Sequence, residues 1–224
     1  MVDLIRGLRA GDVRDNLERV RERIAAAGRD PHEVQILAAV KYLPSEELES
    51  LAAGGITLAG ENRAQELVAK AGAHPGLFTW DFIGALQSRR VAMLIPYVRY
   101  IHSVATDSAL RQLERHATPD TRILVEVNIA GDAAKAGIAP AQLPDFLDRA
   151  PVEVVGLMTM PPLTHRPQDN RRHFAALREL AERHGLRELS MGTSQDFEPA
   201  VREGATIIRL GTVLLGPSGN YLRL

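Results

Sequence analysis

Eight short apolar runs, each followed by a few polar or glycine residues and then a helical pattern, restrict this chain more than any other feature of its sequence. The runs are VQILAAV (34–40), ITLAG (56–60), WDFIG (80–84), VRYIHSV (98–104), RILVEVNI (122–129), VEVVGLM (152–158), LRELSM (186–191) and TIIRLG (206–211). They are near-continuous rather than alternating, as expected of parallel strands covered on both faces. Helices are predicted around Glu46–Ala53, Glu61–Lys70, Arg89–Ile95, Ser108–Ala117, Ala141–Arg149, His173–His184 and Phe197–Glu203. Eight such units predict closure into an α/β fold, the (β/α)8 or TIM barrel, as a single domain over residues 1–224. A doubly wound open sheet is the alternative. That fold usually has a glycine-rich turn after its first strand, where this chain reads KYLPSEE (41–47). The seventh run is the weakest of the eight. Ahead of the first run, Val13, Leu17, Val20, Ile24 and Ala27 recur by threes and fours, so residues 1–30 are expected to hold a helix that packs on the barrel and ends at Gly28.

With 27 basic and 28 acidic residues the formal net charge is −1, which leaves no basic field for a nucleic-acid backbone. The absence of cysteine excludes disulfides, thiolate metal sites and cysteine nucleophiles. The seven histidines show no paired spacing, so no metal site is expected. No apolar run approaches the ~20 residues of a membrane span. The charged start MVDLIRGLRAGDVRDN is unlike a secretory leader, and a cytoplasmic location is expected. No G-x-S-x-G elbow occurs, so His102 and Ser103 read as a polar pair at a strand end rather than a hydrolase centre.

In a barrel the chemistry gathers at the C-terminal ends of the strands. The first run ends at Lys41, whose stem would start near the core. Partial desolvation there would favour the free amine, which attacks aldehydes to form an imine. The segments after strands seven and eight commonly bind phosphate. Here they offer Ser194, and Gly211 with Thr212, as backbone and hydroxyl donors. Arg209, two residues before Gly211, would point the same way and lie deeper, near the ring of an aromatic cofactor. Asn62 could hydrogen-bond a ring oxygen or cap a helix, and Glu61 could serve a helix dipole.

These positions lie within eight ordered segments: AVKYLPSEEL (39–48), GENRAQELVAK (60–70), WDFIGALQSRRV (80–91), IHSV (101–104), VEVNIAGDAAKAGI (125–138), GLMTMPP (156–162), LSMGTSQDFEPAV (189–201) and IRLGTVLLG (208–216). Through them the chain resembles the pyridoxal phosphate homeostasis protein family from about Val34 to Gly216. The resemblance implies a barrel similar to the N-terminal domain of alanine racemase. It implies pyridoxal 5'-phosphate as cofactor, held as a Schiff base on Lys41. It places phosphate contacts on Ser190, Met191, Gly192 and Ser194 and on Gly211 and Thr212, sets Arg209 against the pyridine nitrogen, and gives Lys135 a part in cofactor binding or release. Where the family often reads Ser-Lys-Thr-Lys, this chain has Val40-Lys41-Tyr42-Leu43, so the second lysine is absent. Thr193 stands in place of a methionine.

The function implied is intracellular pyridoxal phosphate (vitamin B6) homeostasis, with apo-enzymes that use this cofactor as partners and a monomer or weak dimer as the state. The alternative is an amino-acid racemase of low activity. A racemase needs two bases on opposite faces of the substrate carbon, and a chain of 224 residues is too short for the second domain that supplies the other base. The expectation therefore leans toward a carrier rather than an enzyme.

Overall fold

The computed structural model describes residues 4–216. Eight parallel strands close into a barrel in sequence order: β1 (Gln35–Ala39), β2 (Leu58–Glu61), β3 (Thr79–Phe82), β4 (Tyr100–Val104), β5 (Arg122–Glu126), β6 (Glu153–Met158), β7 (Glu188–Thr193) and β8 (Ile207–Leu210). Pairing of β1 with β8, from Gln35 opposite Ile207 to Ala38 opposite Leu210, completes the cylinder. The open-sheet alternative is thereby excluded. Helix α1 (Ala10–Ala26) precedes the barrel. Around it follow α2 (Leu48–Ala53), α3 (Ala64–Ala73), α4 (Val91–Leu94), α5 (Asp107–His116), α6 (Leu143–Asp148), α7 (Arg171–Arg183), α8 (Phe197–Arg202) and the one-turn α9 (Thr212–Leu215). Among the described residues no helix is long and apolar enough to cross a membrane.

Two apolar regions follow from strand alternation. The larger lies between the strands and the helices. A smaller one, Leu37, Leu58 and Ile207 with Ile83 and Tyr100 packed against it, lies apart from the first. We read it as the plug inside the cylinder. On α1, Val13, Leu17, Val20 and Ile24 form the buried stripe that the spacing predicts. Asn16, also fully buried, sends its Nδ2 to the carbonyls of Leu214 and Gly216 at 2.9 and 3.0 Å, so α1 caps the turn after β8. At α5 the Thr106 side chain accepts from the Ala109 N–H at 3.2 Å, an N-cap that fixes where β4 gives way to helix.

Element ends differ from the sequence reading in two instructive places. Glu61 closes β2 instead of opening a helix, because its carboxylate is taken by Lys70 from inside α3. The weak seventh run extends to Thr193, with a register shift against β8 between Ser190 and Thr193. Gly192 sits in that irregular stretch at φ +90°, and a Cβ there would come within 2.7 Å of Ala200 Cβ and 2.9 Å of Phe197 Cα. The glycine is therefore required by the approach of α8.

Candidate functional site

At the C-terminal mouth of the barrel lies a cavity of about 670 Å³. Lys41, Asn62, Ser194, Arg209, Gly211 and Thr212 all line it, so one space brings together six of the residues singled out from the sequence. Ser190, Met191 and Gly192 do not line it. Ser190 and Met191 are fully buried, and Gly192 is packed beneath α8.

Lys41 lies in the turn after β1 and is exposed, rather than partly desolvated, because the strand ends two residues earlier and the mouth is open. Its Nζ sits 4.8 Å from the centroid of the Tyr42 ring, a cation–π contact. Among the described residues it makes no hydrogen bond or ion pair. Its backbone is anchored from below: Lys70 Nζ donates to the Val40 carbonyl at 2.8 Å and to Glu61 Oε2 at 2.6 Å, while Glu61 Oε1 accepts from the Asn62 N–H at 2.8 Å. One buried ion pair thus ties the ends of β1 and β2 together and sets the positions of Lys41 and Asn62. Asn62 does not cap α3, whose N-cap position is held by Arg63. Leu43, where the family's second lysine would fall, is buried in the core.

Two adjoining segments, after β7 and after β8, form the end of the cavity where the sequence places phosphate contacts. The Gly211 N–H donates to Ser194 Oγ at 3.0 Å. The residue before Ser194 is held in place by Asp196, whose Oδ1 accepts from the Thr193 N–H and hydroxyl at 2.8 and 2.9 Å and whose Oδ2 accepts from Asn170 Nδ2 at 2.8 Å. A Cβ built on Gly211 would meet only Ala39, at 3.7 Å or more. The backbone there is therefore open to a group approaching from the cavity. A primary amine in the turn after β1, facing the same cavity as two hydroxyls and a glycine backbone, fits an aldehyde that carries a phosphate.

Arg209, at 6 % exposure, ends a chain of polar groups that runs up the inside of the barrel. Its Nη1 donates to Ser190 Oγ at 2.6 Å and its Nη2 to the Thr159 carbonyl at 2.9 Å. Ser190 Oγ lies 2.8 Å from His102 Nδ1, and His102 Nε2 lies 3.0 Å from Asp81 Oδ2. Arg99 grips Asp81 with two bonds of 3.0 and 2.6 Å. Burial pushes His102 below its ordinary range, against the pull of Asp81. Burial works to raise Asp81, yet the hydrogen bonds of His102 and Arg99 and the Arg99 charge hold its carboxylate below the usual range. Burial lowers Arg209 to about 10, with Asp196 and Glu126 opposing. A neutral His102 whose Nε2–H donates to a carboxylate must accept at Nδ1, so the Ser190 hydroxyl donates to His102 and accepts from Arg209. This Asp-His-Ser line resembles a hydrolytic triad in outline only. Ser190 is fully buried and its oxygen is occupied on both sides.

Sequence reasoning missed Asp81, His102 and Lys70 as parts of the site, and it missed Glu126. Glu126 lines the cavity at 8 % exposure, and burial raises it above the usual carboxylate range against Arg209 and then Lys135. For the strand residues the available signal was a polar side chain set inside an otherwise apolar run, as in WDF, YIHSV and LVEV. Lys135 lies on the exposed segment after β5 and lines a smaller neighbouring cavity with Met160 and Asp196.

The closed barrel, with Lys41, Ser194, Gly211 and Thr212 lining one cavity at its mouth, defines an alanine-racemase-like barrel. Alanine racemase from Corynebacterium glutamicum superposes with a TM-score of 0.70 at 14 % identity, covering 95 % of this chain and 62 % of that one, a likeness of fold alone. No known family model matches the chain. The pyridoxal phosphate homeostasis protein of Aquifex aeolicus is 37 % identical over 214 residues, 89 % of this chain and 94 % of its own length. That of Pseudomonas aeruginosa is 36 % identical over 208 residues, 88 % of this chain and 90 % of its own length. PipY of Synechococcus elongatus, solved with PLP bound, has a TM-score of 0.73 at 32 % identity and covers 88 % of this chain and 100 % of that one. The chain belongs to the pyridoxal phosphate homeostasis protein family.

Proposed function

We propose that this chain binds pyridoxal phosphate at the barrel mouth, as a Schiff base on Lys41, and serves cofactor homeostasis by holding and releasing it. The carrying observation is that Lys41 and the Ser194–Gly211–Thr212 group line one cavity, with no described residue closer than Ala39, at 3.7 Å, to a Cβ built on Gly211. Pyridoxal phosphate brings an aldehyde that a primary amine captures reversibly, and a phosphate that backbone N–H and hydroxyl groups can receive. Lys41 supplies the amine. Ser194, Gly211 and Thr212 receive the phosphate, Asn62 faces the ring from β2, and Arg209 lies against the pyridine nitrogen. A guanidinium there disfavours a proton on the ring nitrogen and leaves the ring a weaker electron sink. That supports retention over turnover of amino acids. Apo-enzymes that need the cofactor are the partners in this reading, the location is cytoplasmic, and the single domain acts as a monomer or weak dimer.

The test is borohydride reduction of the loaded protein followed by peptide mapping. The reading requires one reduced pyridoxyl adduct, on Lys41, that disappears in Lys41→Ala while the fold persists. An adduct on another lysine, or none, overturns it. Incubation of loaded protein with single L-amino acids in heavy water separates the two functions: slow or absent α-proton exchange supports the carrier, and rapid exchange with inversion supports the racemase.

A further inference from the structure

Glu126, at the end of β5, is a buried ionisable side chain of the cavity that neither the Lys41 turn, the anion-receiving segments nor the Arg209 chain engages. The residue is 8 % exposed and lines the cavity, yet its side chain makes no hydrogen bond or ion pair among the described residues. Its main chain is in order: the carbonyl accepts from the Ile138 N–H at 2.9 Å, and Met158 stands opposite on β6. A carboxyl that faces the cavity without a protein partner is left for a group bound there, and displacing its water without replacing the hydrogen bond would be costly.

The chemistry of the partner follows from the surroundings. The charges acting on Glu126 are Arg209 from β8 and Lys135 from the segment after β5. Arg209 is already committed to Ser190 and the Thr159 carbonyl. On the β6 side the neighbour is Met158, and from β4 Ser103 lines the cavity with its hydroxyl donating to the Gly84 carbonyl, so neither strand offers a charge at that level. His102, elsewhere on β4, is occupied by Asp81 and Ser190. Burial already favours the protonated carboxyl. A ligand carrying a phosphate would favour it further, because an ionised carboxylate repels a polyanion.

We propose that Glu126 is a further binding residue of this cavity, a neutral carboxyl that donates a hydrogen bond to an acceptor on the polar edge of a bound phosphorylated pyridine aldehyde. The proposal rests on the ligand class proposed above. Its consequence is that loading keeps a proton that the empty protein releases as pH rises.

The experiment is equilibrium titration with pyridoxal phosphate, followed by the imine absorbance, from about pH 5.5 to about pH 8.5. It compares wild type, Glu126→Gln and Glu126→Ala. Lys41 adds the same pH dependence to all three, so ratios of affinity isolate position 126. Glutamine keeps a donor and cannot ionise. The affinity ratio of Glu126→Gln to wild type should therefore climb with pH, by up to about tenfold per unit above the carboxyl's titration. Glu126→Ala should bind more weakly than Glu126→Gln at every pH. A ratio independent of pH overturns the proposal, and so does an alanine variant equal to glutamine. Should the alanine variant fail to fold, the isosteric glutamine decides alone. Absence of imine absorbance in wild type at every pH would instead overturn the proposed function.

Discussion

Lys70 Nζ lies 2.8 Å from the carbonyl oxygen of Val40, the residue immediately before Lys41. The same ammonium holds Glu61 Oε2 at 2.6 Å, so one side chain of α3 fixes the ends of two neighbouring strands at the mouth. Both partners are buried, at 6 % and 1 % side-chain exposure. Removing one leaves an uncompensated charge, which costs about 3 to 5 kcal/mol. Lys70→Met is expected to lose stability of that order in urea unfolding. Adding Glu61→Gln should recover part of the loss. A single variant as stable as wild type would show that the pair does not hold the strand ends.

Two glycines of the site should behave in opposite ways. Gly192→Ala forces a Cβ into Ala200 and Phe197 at φ +90° and should cost roughly 1 to 3 kcal/mol of stability. Gly211→Ala meets only ordinary contacts, at a φ of −110° that alanine tolerates. It should leave the unfolding midpoint near wild type while weakening affinity for pyridoxal phosphate. Thermal unfolding paired with ligand titration reads both. Reversed effects would mean that the phosphate approaches elsewhere.

Ser194→Ala and Thr212→Ala each remove a hydroxyl at the anion-receiving end. A lost hydrogen bond to a charged group is worth about 1.5 to 3 kcal/mol, so affinity for pyridoxal phosphate should fall by roughly tenfold or more. Affinity for pyridoxal, which lacks the phosphate, should not change. Equal losses for both ligands would assign these hydroxyls to the ring instead.

His102 gives the fold a dependence on pH. The unfolded chain takes up a proton on this side chain near pH 6.5. The folded chain keeps it neutral, by burial first, with Asp81 working against that. Stability should therefore decline as pH falls below about 6.5, by up to about 1.4 kcal/mol per unit, and stop declining at the lower folded titration. Asp81 acts in the same direction at more acid pH. Its folded value is depressed, so its contribution is present above the ordinary aspartate range and is lost as pH falls through the folded value. His102→Gln, whose amide can bond both Asp81 and Ser190, should flatten the slope between about pH 7 and about pH 5 in urea unfolding. An unchanged slope would overturn the neutral assignment.

The barrel was legible because apolar runs report burial on both faces, and their order sets the order of the strands. Lys41, Arg209 and Gly211 were legible because strand ends are marked in the sequence. The interior was not. Asp81, His102 and Ser190 lie on strands three, four and seven, and only closure and register bring them within hydrogen-bond distance of one another. Glu61 reads from its local sequence as a helix-start carboxylate, since nothing in the chain declares that Lys70 will reach back to it. Lys41 was expected to be partly buried because the apolar run continues to Val40, whereas β1 stops at Ala39 and the side chain emerges in a turn.

Asn16 binds carbonyls 198 and 200 residues further along the chain, at 2.9 and 3.0 Å. The segment that carries Gly211 and Thr212 is thus seated by the first helix and by the pairing of the first strand with the eighth. On a ribosome, the amine at position 41 emerges early, while the segment of Gly211 and Thr212 cannot take shape until the eighth strand has cleared the exit tunnel. Under the proposed function, cofactor capture by a nascent chain is accordingly postponed until the cylinder has closed, and a partly synthesised barrel offers the aldehyde a lysine but no grip.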